Sequence, residues 1–572
     1  MAYIEEIFML KKHRYNLLSC IIFIFFLINF FNFDSVFANQ DSNSTVNAHL
    51  FQVKRALDSD DYSVAATQYR KAAKSSDSIE IAQMAIRFGL TYGFHEEALL
   101  SAKHWLKLDG GSKEVRFILG QIYFRINKLK KSKSNFQKYL KMSSKVPTEN
   151  LLPLANYLSK EGYPKRADRL MRLLAKPYLK SASAQYAVAF LALQAGEIKY
   201  AKKQLIRSLK LKPDFHQSKF LYAKALMFEG KANEAISYLE YFIGDSSQPN
   251  PDARIELANL YIMVNRDEDA LGQINQVLIE QNGREDALQL MGIIYYRSNQ
   301  FNAAWENFQD LLVSANYRMD ALFYLARISH HRKQYVRAIR LYSQVNFGEN
   351  AKLSHREASF LLAYQLNDSE GAFILLEEFK KKSPIYAVDA LMLKAQLLSS
   401  LKRYEEAILL YNQLIKFRPE NQYLFFMYAK TMVLAGQIDK SVTAYRAAVK
   451  RWPNNPEMLN ALGYTLANNN ERFAESERFI RKALKLDPDN PAIIDSLGWI
   501  LFKTGRYNEA LNELRRAYLR LKDPEVVSHI IEVLVVLEQY NEAYQILKYA
   551  ENSLPTSELI KDVRKRYFTE SP

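Results

Sequence analysis

Cysteine is almost missing from this chain: 572 residues contain one, Cys20. A single thiol makes neither an internal disulfide nor a CxxC metal site, so no covalent or metal staple holds the fold. Glycine (18) and proline (16) are scarce. That excludes collagen-like and low-complexity classes and favours long regular elements over loops. Also missing are a Gly-rich phosphate loop, an HExxH pair, a GxSxG elbow and a cysteine cluster. The chain therefore reads as a protein that is not an enzyme and uses no cofactor or metal. His330, His331 and His355 are the only local histidine group. Adjacent helical residues point about 100° apart, so His330 and His331 read as a solvated pair rather than joint ligands of one ion.

What is present is apolar and basic. Hydrophobic residues make up 48% of the chain and the formal charge is +16. Such a balance fits either an anionic partner or a generally basic proteome. Two basic runs stand out, "KLKKSKSNFQKYLK" from Lys128 and "KKQLIRSLKLK" from Lys202. At helical spacing each gives one solvated face and one core face. The alternative is a patch that touches anionic lipid or a cell-wall polymer.

The amino terminus carries an export signature. Lys11, Lys12, His13 and Arg14 precede the apolar run Leu17 to Phe33, and Val36 and Ala38 stand at −3 and −1 of a cleavage site. Residues 1–38 thus read as a signal peptide or an amino-terminal anchor. A lipidated Cys20 is a third reading, although that cysteine precedes most of the apolar core. All three readings place the remainder outside the cytoplasm and away from nucleic acid. Residues 39–48 read as a polar linker.

From there one spacing governs the chain. Ala65, Ala98, Ser132, Ala167, Ala201 and Ala235 begin a ladder that continues through Ala407, Ser441, Ser476 and Ala510 to Ala543, with every step between 33 and 36 residues and every rung Ala or Ser. A second ladder lies twelve residues earlier, including Gly120, Ala155, Gly292, Ala326, Ala429 and Gly498, with Gly463 one residue further off. A fixed period of this size signals a repeat architecture. The physical reading is a stack of helix hairpins in which small residues let paired helices approach closely. The expected arrays run over 49–380 and 381–562, with a tail at 563–572.

In "IDSLGWILFKTGRYNEALNELRRAY", Leu497, Gly498, Leu501, Tyr507, Ala510, Leu514 and Ala517 resemble the signature of the tetratricopeptide repeat (TPR). The resemblance implies an all-α, TPR superhelical solenoid of about fifteen helix-turn-helix repeats. It implies a protein-binding groove lined by first helices, with candidates Trp499, Phe502 and Lys503, Tyr464 and Asn468, Arg327 and His330, and Tyr296 and Arg297. "LGYTLA" and "DSLGW", within Asn460 to Leu534, are further similar to large proteobacterial envelope TPR proteins. One of those is a lipoprotein adaptor that presents cell-wall hydrolases to a periplasmic carboxyl-terminal processing protease. The expectation is a non-catalytic scaffold or adaptor in the cell envelope whose partners are other proteins, including such a protease and its hydrolase substrates. The alternative is a membrane-anchored assembly factor for pili or surface polysaccharide. The oligomeric state stays open.

Overall fold

Paired small residues produce paired helices. The computed structural model describes residues 44–568 except 60, 144–146, 245–249, 470–471 and 556. The export signature lies outside these residues. Among the described residues there are thirty-one α-helices, four short 3-10 turns and no strand. They form fifteen consecutive hairpins, from Ser44–Asp58 with Tyr62–Lys74 to Pro524–Val536 with Tyr540–Ser553, and a closing helix, Glu558–Tyr567. The first helix begins inside the span read as a linker (39–48), so that reading is corrected: Ser44 onward is helical and Val46 is buried. The tail read from 563 is likewise helical to Tyr567, with Val563 fully buried. The chain divides into two compact units, residues 1–390 and 391–572, ten residues beyond the boundary expected from sequence. No helix among the described residues is long and apolar enough to cross a membrane.

Both ladders are interior. All fifteen second-helix rungs, Ala65 through Ala543, are fully buried. Where the rung is serine, its hydroxyl has a fixed partner: Ser132 Oγ donates to the Gly120 carbonyl (2.9 Å), Ser441 to Ala429 (2.9 Å) and Ser476 to Gly463 (2.7 Å). Each acceptor is the first-helix rung of the same hairpin. A buried hydroxyl needs such a partner, and at these three rungs the close helix crossing supplies it. The glycine rungs face large side chains. A Cβ on Gly498 would stand 2.5 Å from Leu514 Cγ, and one on Gly463 would stand 2.6 Å from Ile480 Cγ1.

The turn inside a hairpin is closed by one residue in the left-handed region. Gly505 (φ 78°) takes this place in the fourteenth hairpin, Asn265 (φ 60°) in the seventh, and Lys402 (φ 62°) in the eleventh. The next amide then reaches back five residues, as Arg506 N–H does to the Leu501 carbonyl at 2.9 Å. Prolines open several first helices at positions whose amide has no helical partner, as at Pro456, Pro491 and Pro524. Tyr507 of the repeat signature sits at the hairpin edge and is 36% exposed, because it opens the second helix.

Three substitutions test this packing. Ala407→Glu should destabilise the 391–572 unit by more than about 3 kcal/mol, because a carboxylate there is buried without a partner; chemical unfolding followed by helicity reads it. Gly498→Ala should cost about 1–3 kcal/mol through overpacking against Leu514, whereas Gly505→Ala acts only through backbone strain.

Candidate functional site

The five candidates in the 391–572 unit come together on two successive first helices, Pro456–Asn468 and Pro491–Lys503, and meet side chains of the next, Pro524–Val536. Trp499 is buried, and its indole Nε1–H donates to Asn468 Oδ1 at 2.6 Å. Its ring stacks on His529 (centroids 4.1 Å apart, 19°) and on Phe502 (5.2 Å). Lys503 Nζ lies over the indole at 4.8 Å, a cation–π contact. The Tyr464 hydroxyl reaches past the middle helix to donate to Glu525. Burial, and then the Glu525 charge, push the Tyr464 phenol well above its ordinary range, so it acts as a donor.

The structure adds residues the sequence did not single out. Asp495 Oδ1 lies 2.9 Å from His529 Nδ1, and both side chains are buried. Asp495 stands four residues before Trp499, and Glu525 four before His529, so each pair shares a helix face. The i, i+4 spacing is visible in sequence, but that stacking buries Asp495 against His529 of the next repeat is not.

The other four candidates lie in the 1–390 unit. The Arg327 guanidinium stacks over Tyr296 (5.0 Å), which also meets Tyr324 edge-on (5.4 Å). Arg297 is tied to the preceding hairpin turn: Nη2 donates to Asn265 Oδ1 at 2.6 Å and Nη1 to the Ile262 carbonyl at 3.3 Å. His330 is half-buried and packs 6.1 Å from Tyr335. Near them, Asp320 accepts from Gln289 Nε2 (2.7 Å) and Asn350 Nδ2 (3.1 Å), joining three first-helix starts. Burial pushes its carboxyl up to about 6, against both hydrogen bonds. His331 is exposed and His355 stands apart, buried and stacked on Phe379 at 3.6 Å with Nδ1 at 3.0 Å from the Ala351 carbonyl. Burial holds its imidazole down at about 4. Among the described residues no group of three or more His, Cys, Asp or Glu is placed to hold a metal ion.

Three family profiles described as "Tetratricopeptide repeat" match residues 290–350 and 434–491, 226–294, and 114–146 and 388–421. The chain carries tetratricopeptide repeats. A curated relative, TPR repeat-containing protein PA4667 of Pseudomonas aeruginosa, is 29% identical over 220 residues, covering 37% of this chain. The chain spans about 36% of that relative's length. Among solved structures, yeast Tom70 matches 73% of this chain and 94% of its own at 15% identity and TM-score 0.39. The APC/C hetero-tetramer Cut9–Hcn1 matches 92% of this chain and 97% of its own at 14% identity and TM-score 0.33. TPR repeats of this kind serve as protein-interaction scaffolds, and the paired first-helix stripes are the polar and aromatic side chains such a surface would use.

The His355 environment has a signed pH consequence. Its folded pKa lies below the unfolded value of about 6.5, so the stability from its neutral form is present above that pH and lost as pH falls toward about 4. Asp320 acts oppositely, its contribution fading as pH rises through about 6. The urea midpoint of the full chain should therefore fall less between these pH values in His355→Gln than in wild type, with a wild-type loss at His355 of up to about 3 kcal/mol.

Proposed function

We propose that this TPR protein is a non-catalytic adaptor of the bacterial cell envelope. It binds partner proteins on its first-helix faces, above all at the stripe around Trp499. The observation that carries this reading is the Asp495–His529–Trp499–Asn468 arrangement. Each polar group in it is spent on a neighbouring repeat, so the indole and the half-exposed Phe502 and Lys503 are held rigid with little conformational entropy left to lose on binding. Aromatic side chains backed in this way are typical interface anchors. The export signature of residues 1–38 supports an envelope location, and the likeness of "LGYTLA" and "DSLGW" to envelope TPR proteins supports the finer reading: presentation of cell-wall hydrolases to a periplasmic carboxyl-terminal processing protease.

The test is affinity capture from periplasmic extract with the wild type and with a Phe502→Ala, Lys503→Glu variant. Recovery of a serine protease that drops about tenfold or more in the variant, at unchanged helicity, is expected if these side chains are anchors. Recovery of pilus or polysaccharide machinery instead overturns the adaptor reading. Amino-terminal sequencing of the isolated protein should begin at Asn39; a start ahead of the apolar run Leu17 to Phe33 points to the anchored alternative.

A further inference from the structure

The net charge of the chain is concentrated in one place. Between Lys113 and Lys212 there are 23 Lys and Arg against 5 Asp and Glu, an excess greater than the +16 of the whole chain. This span makes up the third, fourth and fifth hairpins, whose second helices are Leu129–Ser143, Pro164–Ala175 and Ile198–Leu211. The first two pack side by side, and Arg172 of the second stacks on Tyr200 of the third at 3.7 Å.

The charges keep register with the ladder. Two residues before each small rung stand Lys130, Lys165 and Lys199, and nine after it stand Lys141, Lys176 and Lys210. At about 100° per residue both positions point almost directly away from the rung, and all six lysines are exposed. Arg169 and Lys203, two after the rung, and Lys138 and Arg207, six after it, fill the same outward column. Among the described residues none of the six lysines has an ion-pair partner, whereas Arg172 and Lys202 on neighbouring helix faces pair with Asp168 (2.8 Å) and Glu229 (2.5 Å). The row two residues before the rung ends sharply on both sides, whereas an exposed lysine nine after the rung recurs in other hairpins, as at Lys74, Lys107 and Lys416. The second hairpin has Glu96 at the first of these positions and the sixth has Asn233.

Lysine in a first helical turn is unfavourable, because the helix dipole places positive charge there. The three helices have no acidic residue in the first turn to offset it, while the flanking second helices carry Glu96, Glu97 and Glu234. A feature that costs stability in three consecutive repeats and in none beside them is the mark of a binding surface. Its rim is apolar: Met142, Leu179 and Leu211, at the same ends of the three helices, are 43%, 43% and 48% exposed. Rows of lysine with an apolar edge match the interface of an anionic bilayer, where the edge enters the headgroup region and the ammonium groups meet lipid phosphate. A soluble acidic partner would leave that edge in water.

We infer that the second-helix face of hairpins three to five is a docking surface for anionic lipid, which holds this array against a membrane independently of any partner on the first-helix faces. Flotation with vesicles tests it, comparing phosphatidylethanolamine–phosphatidylglycerol vesicles with phosphatidylcholine vesicles. The full chain is compared with Lys130→Glu, Lys165→Glu, Lys199→Glu and with the matching glutamine set. The glutamate set places there the residue that other repeats carry at that register, as at Glu96, Glu268 and Glu405, and all three positions are exposed, so helicity and melting should hold. Wild type is expected to prefer anionic over neutral vesicles by about tenfold or more, with the preference shrinking as salt rises and vanishing in both variants. Comparing wild type with variants that share residues 1–38 cancels any contribution of the Lys11–Arg14 cluster and the Leu17–Phe33 segment. Equal binding to both vesicles, an unchanged preference in the variants, or retention on soluble polyglutamate but not on anionic vesicles would each overturn the inference.

Discussion

Everything in this protein rests on the close crossing of two helices at a pair of undersized residues. The crossing is close enough for a serine hydroxyl on one helix to donate to a main-chain carbonyl on the other, as Ser132, Ser441 and Ser476 do. At the glycine rungs it leaves no room for even one carbon, as Leu514 shows against Gly498. Helix pairs that approach this closely bury little side-chain volume between their axes. The larger side chains then project outward to meet the next hairpin, and each hairpin becomes stable only by stacking. The fifteen-fold recurrence of one buried small residue follows from this single steric condition.

Stacking fixes what the first helices present. Because successive helices arrive in one register, residues about thirty-one to thirty-four apart in sequence become neighbours, and Asp495 meets His529 while Asn468 meets Trp499. These contacts satisfy buried polar groups without any contribution from loops. The same register gathers Gln289, Asp320 and Asn350 in the other unit, where desolvation raises a carboxyl toward the range in which it titrates near neutrality. Polar groups of this kind make each repeat recognise its own neighbour, which keeps a chain of similar hairpins from slipping by one unit.

The second helices carry a different message. Their inward faces obey the ladder everywhere, yet their outward faces are free to vary, and only in three of them does a lysine stand two residues before the rung. One face of the array is thus chemically specialised without any change in the fold beneath it, as expected where function is grafted onto a repeated scaffold.

Periodicity made the architecture legible. The ladder Ala65 to Ala543 located every second helix, since a small residue at an interior crossing admits no substitute, and the absent cysteines and motifs left no other fold-stabilising device. The groove was legible only in part. Trp499, Phe502, Lys503, Tyr464 and Asn468 were placed on one face by helical spacing, but that spacing says nothing about which repeat-to-repeat partners each side chain finds. Arg297 reads as a free groove cation in sequence and proves to clamp the Asn265 turn, and Asp495 and His529 are ordinary polar residues until stacking buries them together. The sequence by itself determined the helix hairpins, their number and their buried rungs, because those depend on local periodicity and steric size. Only the tertiary structure decided which charges face solvent, which are consumed between neighbours and which line up into a surface, because those depend on how far each hairpin turns against the next.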